Sequence, residues 1–194
     1  MEAASFAGVI FDVYGTLLDV YAVEAEAERL RPARGAAVAA LWREKQIDYT
    51  RLRTVAGRFA DFWSVTVDAL DFVDAALRLD LSPDEKRSLL RQYPGLNAHP
   101  DALPALTALR AKGLRLAVLS NANLTMLNEG LGAASLAPLI DIVLSVETVG
   151  KFKVAPEAYA LGPAAFGAPA ARLLFVSSNA WDVAGAAWCG HPTY

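Results

Sequence analysis

The chain has 194 residues, 55% of them hydrophobic and 20% charged, with a net charge of −3. That is enough apolar material for one large domain, or a domain carrying a smaller one, and it excludes a disordered chain. The acidic balance, with no arginine stripe longer than the pairs Arg29/Arg31 and Arg51/Arg53, excludes a nucleic-acid-binding surface.

The single cysteine, Cys189, excludes an intrachain disulfide and a cysteine-based zinc site, and it fits a reducing compartment. The start, MEAASFAGVIFD, has no basic region of the kind that opens a signal peptide. No uncharged apolar stretch reaches the roughly 20 residues that a membrane span needs. The expectation is a cytoplasmic protein with no membrane or nucleic-acid partner.

In chain order, FAGVIF (6–11) is a run of consecutive apolar residues that reads as a strand buried on both faces and stops on Asp12. From about 20 to 97 the pattern is helical. Val38, Leu41, Trp42, Lys45, Tyr49, Leu52, Ala56 and Phe59 recur at helical spacing and are expected to form its inward stripe. SPDE marks a helix start, with Ser82 as N-cap, Pro83 in the first position and Glu85 in the third. YPGLNAHPDALPALTALRAKG then has the punctuation of a hinge followed by an amphipathic helix. LRLAVLS (114–120), IDIVLSV (140–146) and LLFVSS (173–178) are three more buried strands, separated by helices over Asn123 to Leu131 and Pro156 to Phe166. This alternation predicts a doubly wound α/β core from 1–18 and 98–194, with an inserted all-helical cap over 19–97.

Ligands of open parallel sheets bind beyond the carboxyl ends of the strands. Asp12, Gly15 and Thr16 follow the first strand here, and Ser120 and Asn121 end the second. Lys151 and Lys153 follow the third, and Ser177, Ser178, Asn179 and Asp182 end the fourth. Each alone fits a helix cap, a turn or a solvated loop, but four polar clusters on one rim point to a site. GLGAAS (130–135) lacks the third glycine of a dinucleotide fingerprint and follows a helix, so it reads as a helix end. His99 and His191 are expected in the hinge or on the surface rather than in the chemistry.

Together the segments resemble the haloacid dehalogenase superfamily and, within it, the L-2-haloacid dehalogenases. FDVYGTLLDV is similar to the nucleophile motif and LSNAN to the second motif. FKVAPEAY is similar to the lysine motif, with Lys153 and Tyr159 at the family's spacing, and FVSSNAWDVAGA to the last motif. WREKQIDYTRLR is similar to the segment carrying a functional arginine, here Arg43. Two departures stand out: Val154 and Ala155 separate Lys153 from Pro156, where the family's lysine commonly precedes proline directly. Related chains also continue with another strand and helix beyond the residue matching Tyr194.

The resemblance implies a covalent mechanism on (S)-2-haloalkanoic acids, without cofactor or metal, giving (R)-2-hydroxy acids. Phosphatases of the superfamily use a second aspartate two residues after the nucleophile, as an acid, and bind magnesium through acids of the last motif. Here the second position is Tyr14, a poor acid, and the last motif offers only Asp182. A halide leaves without a proton, so neither aid is needed.

By resemblance, Asp12 is the nucleophile, Lys153 holds it, Thr16 and Ser177 hydrogen-bond it, and Tyr159 supports Lys153. Asp182 with Asn179 handles the hydrolytic water. Ser120 and the backbone near Val13 and Tyr14 hold the substrate carboxylate, and Arg43 and Asn121 receive the halide. Phe62 and Trp181 keep the pocket dry, and a homodimer is expected. The alternatives are a ring-opening azetidine-2-carboxylate hydrolase, a magnesium-dependent phosphatase of the same superfamily, and a catalytically inactive scaffold.

Overall fold

The four consecutive apolar runs form one parallel sheet of β1 (Gly8–Phe11), β2 (Leu116–Ser120), β3 (Ile142–Ser145) and β4 (Leu173–Val176). The computed structural model describes residues 6–194. β1 and β2 are buried along their whole length, which is why no polar residue alternates with the apolar ones. The strand order is β3-β2-β1-β4. The chain steps from β1 outward through β2 to β3, then crosses to the other side of β1, so the sheet is doubly wound with its switch point between β1 and β4. Phe11 is level with Val118 on one side and Val176 on the other. Asp12 and Ser177 therefore emerge side by side, and the Asp12 N–H donates to the Val176 carbonyl at 2.9 Å.

Between β1 and the next strand run α1 (Val23–Leu30), α2 (Gly35–Val55), α3 (Phe62–Leu77), α4 (Pro83–Leu90) and α5 (Ala102–Ala111). Local chemistry sets their starts. The Glu28 carboxylate accepts the Ala33 and Gly35 N–H groups at 2.6 and 2.8 Å, which caps α2 from the preceding helix. Asp61 accepts the Ser64 N–H at the head of α3. Ser82 and Glu85 close the capping box of α4 reciprocally, as expected. On the core side, α6 (Leu124–Ala133) follows β2 with Asn123 as its N-cap. The Pro156 to Phe166 stretch is two short helices, α7 (Pro156–Tyr159) and α8 (Leu161–Phe166), and α9 (Ala180–Trp188) follows β4.

The expected stripe holds in part, with Val38 and Trp42 buried and Leu41, Tyr49 and Phe59 packed against the core, but the most buried face of α2 is turned from its centre. That face is Gly35, Val38, Ala39, Trp42, Gln46 and Thr50, whereas Leu52 and Ala56 face outward. Gln46 is buried because its amide donates to Thr66 Oγ1 at 3.0 Å, and Thr50 because its hydroxyl donates to the Ile47 carbonyl at 2.7 Å. Polar residues with internal partners thus displace apolar ones from the inner face. Relative to this face, Arg43 is about 70° round the helix at about 100° per residue, half the offset that the expected stripe implies. His191 also departs from expectation: it is buried, with Nδ1 3.1 Å from the Leu173 carbonyl and its ring against Phe175. His99 lies at the re-entry from the helical segment, where its N–H donates to the Leu17 carbonyl. The last residues run along β4, where the Phe175 N–H donates to the Pro192 carbonyl and the Ser177 N–H to that of Tyr194.

Candidate active site

At the switch point, the loop after β1 turns back sharply. The Leu17 and Leu18 N–H groups both reach the Val13 carbonyl, and Gly15 adopts φ +91°, a conformation that favours glycine. A Cβ at this position would stand 3.5 Å from Arg43 Nη2 and 3.6 Å from Asn179 Nδ2, so the bend lies between a side chain of α2 and one at the head of α9. Arg43 Nη2 donates to the Tyr14 carbonyl at 2.7 Å. Ser178, which the sequence places on the rim without a role, bonds the Gly15 carbonyl through its hydroxyl and Thr16 Oγ1 through its N–H.

Asp12 is held in this loop by three donors. Lys153 Nζ reaches Oδ1 at 3.0 Å, while Thr16 Oγ1 and Asn179 Nδ2 reach Oδ2 at 3.0 and 2.9 Å. Lys153 is buried and also bonds Asp182 Oδ2 at 2.8 Å, so a single ammonium bridges two carboxylates. The other oxygen of Asp182 accepts the Tyr159 hydroxyl at 2.7 Å. Gly185 makes that bond possible, since a Cβ there would fall 2.5 Å from the Tyr159 hydroxyl. A glycine inside an otherwise alanine-rich helix is the only trace this leaves in the sequence.

Burial alone would lower the Lys153 pKa, but Asp12 and Asp182 outweigh it and hold it above the ordinary lysine value. Asp182 is pushed up, chiefly by burial and also by the Asp12 charge, with Lys153 opposing. Tyr159 is pushed up by burial and then by Asp182, so it serves as a neutral donor. Because the folded-state value of Lys153 is raised, the stability it contributes is fully present below about pH 10.4 and is lost as pH rises through the higher folded value. Urea midpoints should therefore fall more steeply above that pH in the wild type than in Lys153→Met. Equal slopes would show that the ion pair does not couple to folding.

Tyr14 occupies the position where a second acid stands in the phosphatases. Its side chain is buried, and its hydroxyl turns away from Asp12 to donate to the Met126 carbonyl at 3.2 Å. Burial, with Tyr93 and Glu129 adding to it, pushes its pKa further up, so it is no acid at neutral pH. The charge beside the two carboxylates comes from the Lys153 ammonium, and the rim offers only Asp12 and Asp182 as carboxylate ligands, few for a hard divalent cation. Among the described residues, no three His, Cys, Asp or Glu side chains form a metal-binding cluster.

The surroundings of the remaining expected residues differ from expectation at three positions. Ser177 is one step from Asp12: its hydroxyl lies 3.5 Å from Thr16 Oγ1 and accepts the Asn179 N–H, in place of the expected direct bond. Tyr159 supports Lys153 through Asp182 rather than by contact. Asn179 binds Asp12 itself. Ser120 is buried with Oγ accepting the Ala122 N–H at 3.2 Å, which leaves its proton for donation. Asn121 Oδ1 accepts the Lys153 N–H at 2.9 Å, leaving its amide as a donor. Val13 and Phe62 are buried, with Phe62 6.2 Å from Tyr14 between ring centroids. Trp181 is half-buried, its ring 5.4 Å from the Arg51 guanidinium carbon of α2.

The doubly wound sheet and its aspartate-lysine rim place the molecule in a known class: the chain belongs to the haloacid dehalogenase-like hydrolase family, whose family model matches residues 6–190. It is 39% identical over 186 residues to the (S)-2-haloacid dehalogenase of Pseudomonas sp. (strain YL), covering 96% of this chain and 80% of that one. A solved L-2-haloacid dehalogenase superposes with a TM-score of 0.95 at 50% identity, over 97% of this chain and 85% of that one. The L-2-haloacid dehalogenase of Xanthobacter autotrophicus, solved with chloropropionic acid covalently bound, superposes with a TM-score of 0.91 at 39% identity, over 97% of this chain and 76% of that one.

Proposed function

We propose that this protein hydrolyses (S)-2-haloalkanoic acids to (R)-2-hydroxy acids through an ester on Asp12, without a metal. The observation that carries this is the Lys153 ammonium seated between Asp12 and Asp182 while the Tyr14 hydroxyl is turned away. That arrangement pairs a carboxylate with an ammonium that aims it, and supplies no proton at the position two residues on. It suits a leaving group that departs as a stable anion.

In this mechanism an Asp12 oxygen attacks C2 from behind the halogen. The C–O bond forms as the C–halogen bond breaks, the halide leaves with its electron pair, and the centre inverts. Holding the reactants in line supplies about 7–11 kcal/mol of barrier lowering. Ser120 and the N–H groups near Val13 and Tyr14 receive the substrate carboxylate, and Arg43 and the Asn121 amide receive the halide. Water then adds to the Asp12 carbonyl carbon, its proton passing to Asp182, which burial makes more basic. Collapse of the adduct breaks the bond from the Asp12 carbonyl carbon to the C2 oxygen, which takes the proton back from Asp182 as the hydroxy acid leaves. The second water proton passes to solvent, and Asp12 returns as the carboxylate. The helical segment 19–97 acts as a cap over the core formed by 1–18 and 98–194, which brings Arg43 to the rim. A homodimer in the cytoplasm completes this reading, with Leu52, Val55 and Phe72, exposed on the helical segment, as its contact.

Chloride release from each enantiomer of 2-chloropropionate tests the proposal. The (S)-enantiomer should yield chloride and (R)-lactate, and the (R)-enantiomer should be inert. No chloride from either, with ring opening of azetidine-2-carboxylate or magnesium-dependent release of phosphate from p-nitrophenyl phosphate instead, would overturn it.

Arg43→Ala should lower kcat about 100-fold or more, the usual effect of removing one donor aimed at developing charge. The side chain is half-buried and its hydrogen bond is to a loop carbonyl, so the thermal midpoint should stay nearly unchanged. Ordinary turnover in this variant would remove Arg43 from the site.

A further inference from the structure

Phe152, immediately before Lys153, is fully buried in the core, with its ring beside two aromatic side chains of the helical segment. Its ring centroid is 4.8 Å from that of Phe59 and 6.4 Å from that of Phe62. Its N–H donates to Thr54 Oγ1 at 3.1 Å, and the Thr54 hydroxyl in turn donates to the Thr50 carbonyl at 2.9 Å. One residue on, the Lys153 N–H donates to Asn121 Oδ1, at the end of β2, at 2.9 Å. Two successive backbone donors are thus fixed to opposite sides of the cleft, one to α2 and one to the sheet.

We propose that Thr54 is a positioning residue for the reaction: by anchoring the Phe152 N–H to α2, it sets where Lys153 meets Asp12 and Asp182. The physical case is one of leverage. The lysine stem is long and flexible, so the ammonium is aimed only if its backbone is fixed on both sides. A misplacement of about 1 Å in a reacting constellation can cost about 100-fold in rate. Thr54 is well suited to the task, because its hydroxyl accepts from the lysine segment while donating back into its own helix, so neither group is left unpaired. The same bond ties α2 to the segment that carries Lys153.

The kinetic arm of the test rests on the dehalogenation reading above, and the exchange arm does not. Thr54→Val keeps the shape and loses the acceptor, whereas Thr54→Ser keeps the acceptor. With (S)-2-chloropropionate, Thr54→Val should lower kcat about 10-fold with KM within about twofold, and Thr54→Ser should stay within about twofold in both. Amide exchange at Phe152 should be at least about tenfold faster in Thr54→Val than in the wild type or Thr54→Ser. If Thr54→Val does not fold, Phe59→Leu, which loosens the other contact of Phe152, should give the same kcat-selective loss. Wild-type kcat in Thr54→Val, equal losses in the Val and Ser variants, or unchanged exchange at Phe152 would each overturn the assignment. Absence of chloride release by the wild type would overturn the dehalogenation reading instead, with the exchange result still deciding the role of Thr54.

Discussion

Asp12→Asn should abolish turnover of (S)-2-chloropropionate, lowering kcat at least about 10⁴-fold, in line with the loss of a covalent nucleophile elsewhere. Asparagine matches the shape of aspartate, so Thr16 still has an oxygen to bond. Lys153 keeps its 2.8 Å bond to Asp182, so its charge stays compensated. The fold should therefore survive, and the thermal midpoint should move far less than the rate. Chloride release and calorimetry on the same preparation check both halves. Residual activity within tenfold of the wild type would mean that Asp12 does not form the bond to carbon.

Lys153→Met should damage stability and activity together. Lys153 sits between two buried carboxylates at 3.0 and 2.8 Å. Removing it leaves uncompensated charge in the interior, at a cost of about 3–5 kcal/mol. For a chain of this size that corresponds to a fall in thermal midpoint of about 6–20 °C. Asp12 would also lose the ammonium that aims its Oδ1, so kcat should fall by about 10³-fold or more. The double variant Lys153→Met/Asp182→Asn separates the two effects. With one charge removed, much of the stability should return, yet activity should not, because the water would have no base. If the double variant is as unstable as the single one, packing around the lysine stem rather than charge accounts for the loss.

The sheet and most of the rim are legible in the sequence because the physics behind them is local. A strand covered on both faces leaves a run of consecutive apolar residues, and FAGVIF and LRLAVLS show it directly. Once the strands are placed, their carboxyl ends bring Asp12, Ser120, Lys153, Ser177, Asn179 and Asp182 to one edge without further information. The phase of α2 was not legible in this way. Its inner face carries Gln46, whose partner Thr66 is 20 residues away on another helix. Leu52 stands outside, so an apolar stripe drawn from the sequence turns Arg43 outward. Only the family resemblance pointed to Arg43, and its bond to the Tyr14 carbonyl brings it against the loop after β1.

The support around Asp182 was hidden for a related reason. Tyr159 meets it across 23 residues, and the contact depends on the missing side chain of Gly185. An absent Cβ gives no signal in composition or periodicity. Thr54, bonded to the Phe152 N–H across 98 residues, is likewise an ordinary helix threonine until the fold brings its partner to it.

Oxygen labelling reports most directly on whether a protein carboxylate, rather than water, attacks the substrate. With enzyme in excess over (S)-2-chloropropionate in water enriched in oxygen-18, one turnover should release lactate free of label and leave the heavy isotope in the peptide that contains Asp12. Lactate carrying the label after that first turnover, with the peptide mass unchanged, would contradict the ester and with it the proposed reaction path.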